Sequence, residues 1–92
     1  MLPTYREIEE PLIEELQRRG GSSRPSDRRN GRTVYEALAR YFDLTSADLG
    51  ETIYENGKPR SKWKNMVRYA RRSLVDQGRI DNTQHGVWRL KD

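Results

Sequence analysis

The chain has 92 residues, 33% hydrophobic and 35% charged, with 18 Lys and Arg against 14 Asp and Glu for a net charge of +4. One domain of that size buries only about 60–65% of its unfolded surface, so its core is small and must be well ordered. The lack of cysteine excludes a disulfide framework and a thiolate metal site, no apolar run approaches the ~20 residues that span a bilayer, and the acidic opening "MLPTYREIEEP" reads as no signal peptide, which leaves the cytoplasm as the expected location.

Thr4 and Glu7 stand in the Thr-x-x-Glu arrangement of a capping box, with Leu2 and Ile8 spaced as a hydrophobic staple. Ile8, Leu12 and Leu16, with Tyr5 a turn earlier, mark the apolar face of a first helix that Pro11 is expected to interrupt and kink and Gly20-Gly21 to end. Residues 20–32, "GGSSRPSDRRNGR", read as a flexible loop carrying Arg24, Arg28, Arg29 and Arg32. "TVYEALARYF" predicts a second helix, with Val34, Leu38 and Tyr41/Phe42 at helical spacing. Thr45 and Asp48 predict a short capped turn, and Asn56-Gly57 followed by Pro59 a loop. Ser61 then caps a third main helix that runs to about Gln77 and stops at Gly78. "RIDNTQHGVWRL" closes the chain as two short strands around a turn containing Gly86.

The fold class expected from this order is α+β, mostly helical: a winged helix-turn-helix of three main helices and a C-terminal hairpin wing, which places its last helix in the DNA major groove. Charge points the same way. Between Lys58 and Arg72 there are seven cations and no acid, a segregated field that attracts polyanions.

At 100° per residue, Trp63, Met66, Val67, Ala70 and Leu74 of the third helix share one arc of about 100°, enough for a core stripe. The opposite arc carries Ser61, Lys62, Asn65, Arg68, Tyr69 and Arg72, with Lys64 and Arg71 on its flank. Asn pairs two hydrogen bonds with adenine and Lys or Arg donates to guanine, so Lys62, Asn65 and Tyr69 are expected near base edges. Arg68, Arg71 and Arg72 are expected on phosphates, and Ser61 with the first helical amides can cap another. Arg28, Arg29 and Arg32 of the loop, and Gln84, His85 and Arg89 of the wing, complete the expected DNA-binding set.

Four segments carry a family resemblance: "LPTYREIEEPLIEEL", "ALARYFDLTSADL", "NMVRYARRSLVDQGRI" and "GVWRL". With them the chain resembles the Mrr N-terminal domain family, winged-helix modules at the front of modification-dependent restriction endonucleases. Asn65, Tyr69, Ala70 and Arg71 occupy the family's Asn, aromatic and Ala-Arg places, with Tyr where Trp is usual. The resemblance implies a DNA-targeting module joined in full-length relatives to a nuclease domain. It also implies the reading of a modified base such as N6-methyladenine, with Tyr69 against the methyl group and Asn65 on the adenine edge.

Catalytic groupings are missing from the sequence. "ENGK" at 55–58 is one residue too long for the Glu-x-Lys of a nuclease, and His85 has no histidine or cysteine partner for a metal. No enzyme activity and no cofactor are expected of this domain. Trp63 and Trp88 are expected in the core, Tyr5, Tyr35, Tyr41 and Tyr54 at its edges, and Glu9, Glu10, Glu14 and Glu15 on an exposed helix face that repels DNA. The competing expectation is an interaction module whose basic face docks an acidic partner or its own nuclease domain. RNA is a weaker candidate, since its duplex has too narrow a major groove for a helix.

Overall fold

A computed structural model describes residues 1–91. Its helices are α1 (Tyr5–Arg18), α2 (Val34–Tyr41), α3 (Ser46–Leu49) and α4 (Lys62–Asp76). The strands are β1 (Ser22–Ser23), β2 (Thr52–Glu55), β3 (Lys58–Ser61), β4 (Ile80–Asp81) and β5 (Trp88–Leu90).

The first three helices start in the same way. Thr4, Thr33 and Thr45 each accept from the amide three residues on, while Glu7, Glu36 and Asp48 return the bond to the cap amide. The Glu7 carboxyl is held below its ordinary 4.5 chiefly by the Thr4 amide, and Glu36 chiefly by the Thr33 amide with help from Arg28. A depressed carboxylate stabilises the fold above its unfolded pKa and loses that contribution as pH falls through the folded value. Thermal melts between pH 6 and 3 are therefore expected to hold level to about 4.5 and drop below it; a melting temperature that rises on acidification contradicts the capping assignment.

α1 runs through Pro11 as one helix, so the expected interruption does not occur. Its ring is buried on the face that carries Ile8, Leu12 and Leu16, where the missing donor is offset by packing. These residues form one core with Val34, Leu38, Val67, Ala70, Leu74, Ile80 and both tryptophans. α1 packs on α4 and α2, and α4 on α2, α3 and β4. Tyr35 belongs to this core and Tyr5 is half-buried, but Tyr41 and Tyr54 are 57% and 75% exposed, which corrects their expected place at the core edge.

The C-terminal strands pair antiparallel, with Ile80 opposite Leu90, as expected. The sheet has a third strand that the sequence did not announce. Ser22 and Ser23, expected in a flexible loop, pair with Arg89 and Trp88, so the strand order is β1-β5-β4.

A further correction lies between α3 and α4, where a loop was expected. Thr52 to Ser61 form a hairpin in which Tyr54 faces Pro59 and Glu55 faces Lys58. Asn56 and Gly57 take φ of 53° and 76°, the left-handed pair required by a two-residue primed turn. Ser61 ends β3 and caps α4, so the hairpin feeds directly into that helix.

Candidate nucleic-acid interface

Packing on one side sets the orientation of α4. Trp63, Val67, Ala70 and Leu74 are 2% exposed or less. The Trp63 Nε1 donates to the Tyr35 carbonyl at 2.9 Å, a buried bond that fixes how the helix is rotated about its axis. Ser61 Oγ accepts from the Lys64 amide at 3.2 Å and secures the first turn. With the apolar stripe inward, Lys64, Arg68, Tyr69 and Arg72 are exposed, while Ser61, Lys62, Asn65 and Arg71 are half-buried.

The cations on the α2 side of the helix lie over aromatic rings. Lys64 Nζ and the Arg68 guanidinium sit 5.5 and 5.7 Å from the centre of the Tyr35 ring. Arg71 lies 5.9 Å from the centre of the Trp88 ring, and Tyr35 and Trp88 meet edge to face at 5.9 Å. Such contacts are worth about 0.5–1 kcal/mol each at exposed sites and restrain long side chains. Tyr35 thus supports two cations of the candidate face, a role that its place in the second helix did not signal. Arg71, expected on a phosphate, also ties α4 to β5, with its Nε buried and without a hydrogen-bond partner among the described residues.

The fold also brings acids to this cationic stretch. Lys62 Nζ is 3.6 Å from Glu51, Arg60 is 4.0 Å from Glu55, and Arg72 is 3.7 Å from Asp76. All three pairs are solvent-exposed and contribute about 0–1 kcal/mol, so a polyanion can displace them at little cost. Tyr69 is 54% exposed and borders a cleft shared with Tyr5, Arg72 and Ser73.

The other expected residues divide into two groups. Gln84, His85 and Arg89 are exposed, and Gln84 accepts from Arg89 at 3.3 Å. Arg24 reaches the same turn: a Cβ on Gly86, whose φ is +76°, would lie 3.2 Å from its Nη1. The arginine-rich loop is anchored rather than a free arm. Arg19, 8% exposed, binds Glu15 at 2.7 Å and the carbonyls of Asp27 and Arg32 at 2.8 Å each. Arg28 donates to the Gly31 carbonyl and to Glu36, both at 2.9 Å.

One sequence expectation about charge is overturned here. Glu15 is buried between Arg18 and Arg19 instead of standing on a repelling surface. Arg79, just before β4, turns to α1 and binds Glu10 at 2.6 Å, while Gln77 donates to Glu9 at 3.3 Å. Glu10 is held below its ordinary value by that Arg79 bond.

Among the described residues no group of three His, Cys, Asp or Glu side chains is placed to hold a metal ion, and no helix is long and apolar enough to cross a membrane. The fold and its surface define a small α+β module that displays a cationic, aromatic-backed helix face. The chain belongs to the Mrr N-terminal domain family, whose sequence model matches residues 5–92 and which links it to restriction systems. Neither a curated protein nor a solved structure gives a significant match.

Proposed function

We propose that residues 1–92 form a single winged-helix module that binds double-stranded DNA and serves as the targeting domain of a cytoplasmic restriction protein with a linked nuclease domain. The observation that carries this proposal is the fixed rotation of α4, with Trp63 bonded to Tyr35, Arg68, Tyr69 and Arg72 exposed and Asn65 half-buried beside them. α4 enters the major groove, where Lys62, Asn65 and Tyr69 meet base edges and Lys64, Arg68 and Arg72 meet phosphates. Ser61 caps the insertion end. Arg71 holds the α4–wing angle and offers its guanidinium to the backbone. Gln84, His85 and Arg89 in the wing, with Arg28, Arg29 and Arg32 in the loop, contact the flanking strand. The domain recognises and its partner domain cuts.

The finer proposal concerns base modification. Tyr69 lies one helical turn beyond Asn65 and is 54% exposed, an aromatic beside an amide. Asn65 brackets an adenine edge and Tyr69 packs on an N6-methyl group. Asn65→Ala is expected to cost about 1–3 kcal/mol and to relax preference at one base position. Titrations of otherwise identical methylated and unmethylated duplexes check the methyl contact, and equal affinities eliminate it. Docking to an acidic protein instead predicts no duplex binding at moderate salt together with retained partner binding.

A further inference from the structure

The arginine-rich loop contains a cluster that α4 does not explain. Arg29 and Arg32 are joined by reciprocal backbone bonds, Arg29 N to Arg32 O at 2.8 Å and Arg32 N to Arg29 O at 3.1 Å. Asn30 and Gly31 between them take φ of 53° and 77°, so the four residues form a tight primed turn. Directly opposed residues in such a turn project to the same face. Two arginine side chains therefore leave the turn on one face, a like-charge pairing that is destabilising by itself.

Nothing among the described residues relieves it. The side chains of Arg29, Arg32 and Arg40 form no ion pair and no hydrogen bond there. They instead line one cleft of about 390 Å³ together with Arg18, Asn30 and Glu15. Glu15 is the only carboxylate in that lining, and it is already shared between Arg18 at 3.0 Å and the buried Arg19 at 2.7 Å. The turn is anchored as well, because Arg19 holds the Arg32 carbonyl. The charges of Arg29, Arg32 and Arg40 are thus gathered at one cleft with no acidic partner among the described residues.

We infer that the cleft between the 29–32 turn, the end of α1 and Arg40 of α2 is a phosphate-binding site. Guanidinium forks match phosphate oxygens in paired, charge-assisted bonds. Several converging arginines suit a multiply charged phosphoryl group better than a single carboxylate. Two sources carry that chemistry, a phosphodiester of duplex DNA or a free phosphorylated small molecule. The site includes loop arginines also used in the DNA proposal, but it does not depend on α4 engaging DNA.

The test follows the arginine Nε–Hε resonances by NMR at constant ionic strength, first with pyrophosphate and then with a duplex. Pyrophosphate is expected to shift the Arg29, Arg32 and Arg40 resonances saturably. Arg29→Gln and Arg40→Gln are each expected to weaken this binding about tenfold, as loss of a charge-assisted bond predicts, while Arg6→Gln, the same charge loss on an exposed part of α1, leaves it intact. Cleft resonances that also move with duplex assign the site to the DNA backbone. Response to pyrophosphate alone assigns it to a free phosphoryl compound. Silence to both ligands, or equal weakening by Arg6→Gln, overturns the inference, and neither result bears on binding by α4.

Discussion

Raising the salt from 50 to 200 mM is expected to lower the affinity for duplex DNA by about 10³–10⁵, the loss associated with six to ten phosphate contacts. The expectation rests on where the cations are. Lys64, Arg68 and Arg72 are exposed on α4, Arg89 on β5, and Arg28 and Arg29 on the loop, with Arg32 and Arg71 half-buried. Each phosphate neutralised releases condensed counterions, so the logarithm of affinity falls linearly with that of salt at about 0.9 per contact. The exposed pairs of Lys62 with Glu51 and Arg72 with Asp76 must be exchanged for phosphate. That exchange costs little, because exposed pairs contribute about 0–1 kcal/mol. Arg72→Gln is then expected to weaken all duplexes alike and to reduce the slope by about one. Fluorescence anisotropy at four salt concentrations measures both quantities. A flat salt response would remove the electrostatic basis of the proposed function.

Replacing Arg19 by Ala is expected to destabilise the fold by about 3–5 kcal/mol, the usual consequence of removing one partner of a buried ion pair. Its side chain is 3% exposed and that of Glu15 10%, so the remaining carboxylate cannot simply turn to bulk water. Arg18 contacts the same carboxylate at 3.0 Å and softens the loss, which places the effect toward the lower end of that range. Arg19 also bonds Ser23 Oγ at 3.4 Å and the carbonyls of Asp27 and Arg32, so the 24–32 segment loses its anchor in the same step. Urea denaturation measures the stability change, and amide exchange in residues 24–32 reports the loosened segment. Wild-type stability in Arg19→Ala would show that this cluster does not hold the loop.

Much of the helical scaffold was readable because its signals are local. Thr4-x-x-Glu7 and the Ile8, Leu12, Leu16 spacing define α1, and Ser61 with the Trp63 to Leu74 stripe defines α4 to within a residue. The missed hairpin also had a local signal, Asn56-Gly57 between "TIYE" and "KPRS". Pro59 argued against a strand, yet it lies in a two-stranded sheet where its missing donor leaves no interior bond unmade. The same Asn-Gly signal recurs at Asn30-Gly31 and was masked by the surrounding arginines.

Other features depend on tertiary placement and leave little trace in one sequence. That Arg19 is buried while Arg18 is 58% exposed at its side chain follows from which residue lies over the 24–32 segment. The support of Lys64 and Arg68 by Tyr35 depends on how α2 crosses α4. β1 consists of two serines, whose weak strand preference is overridden by the edge that β5 offers. For the candidate interface, periodicity was enough to separate the outer face of α4 from its core face. It could not show that Arg71 would fold back on Trp88 or that Arg79 would turn to Glu10.

The central claim is that the outward face of α4 is the surface that meets duplex DNA. Backbone and side-chain shift mapping at low salt with a duplex of about two helical turns tests it most directly, since each turn spans 10–10.5 base pairs. The prediction is that the Asn65 side-chain amide and residues 61–72 shift most, with residues 84–89 following and the α1 face around Glu9 and Glu14 unmoved. A silent α4 beside a responsive surface elsewhere would contradict it.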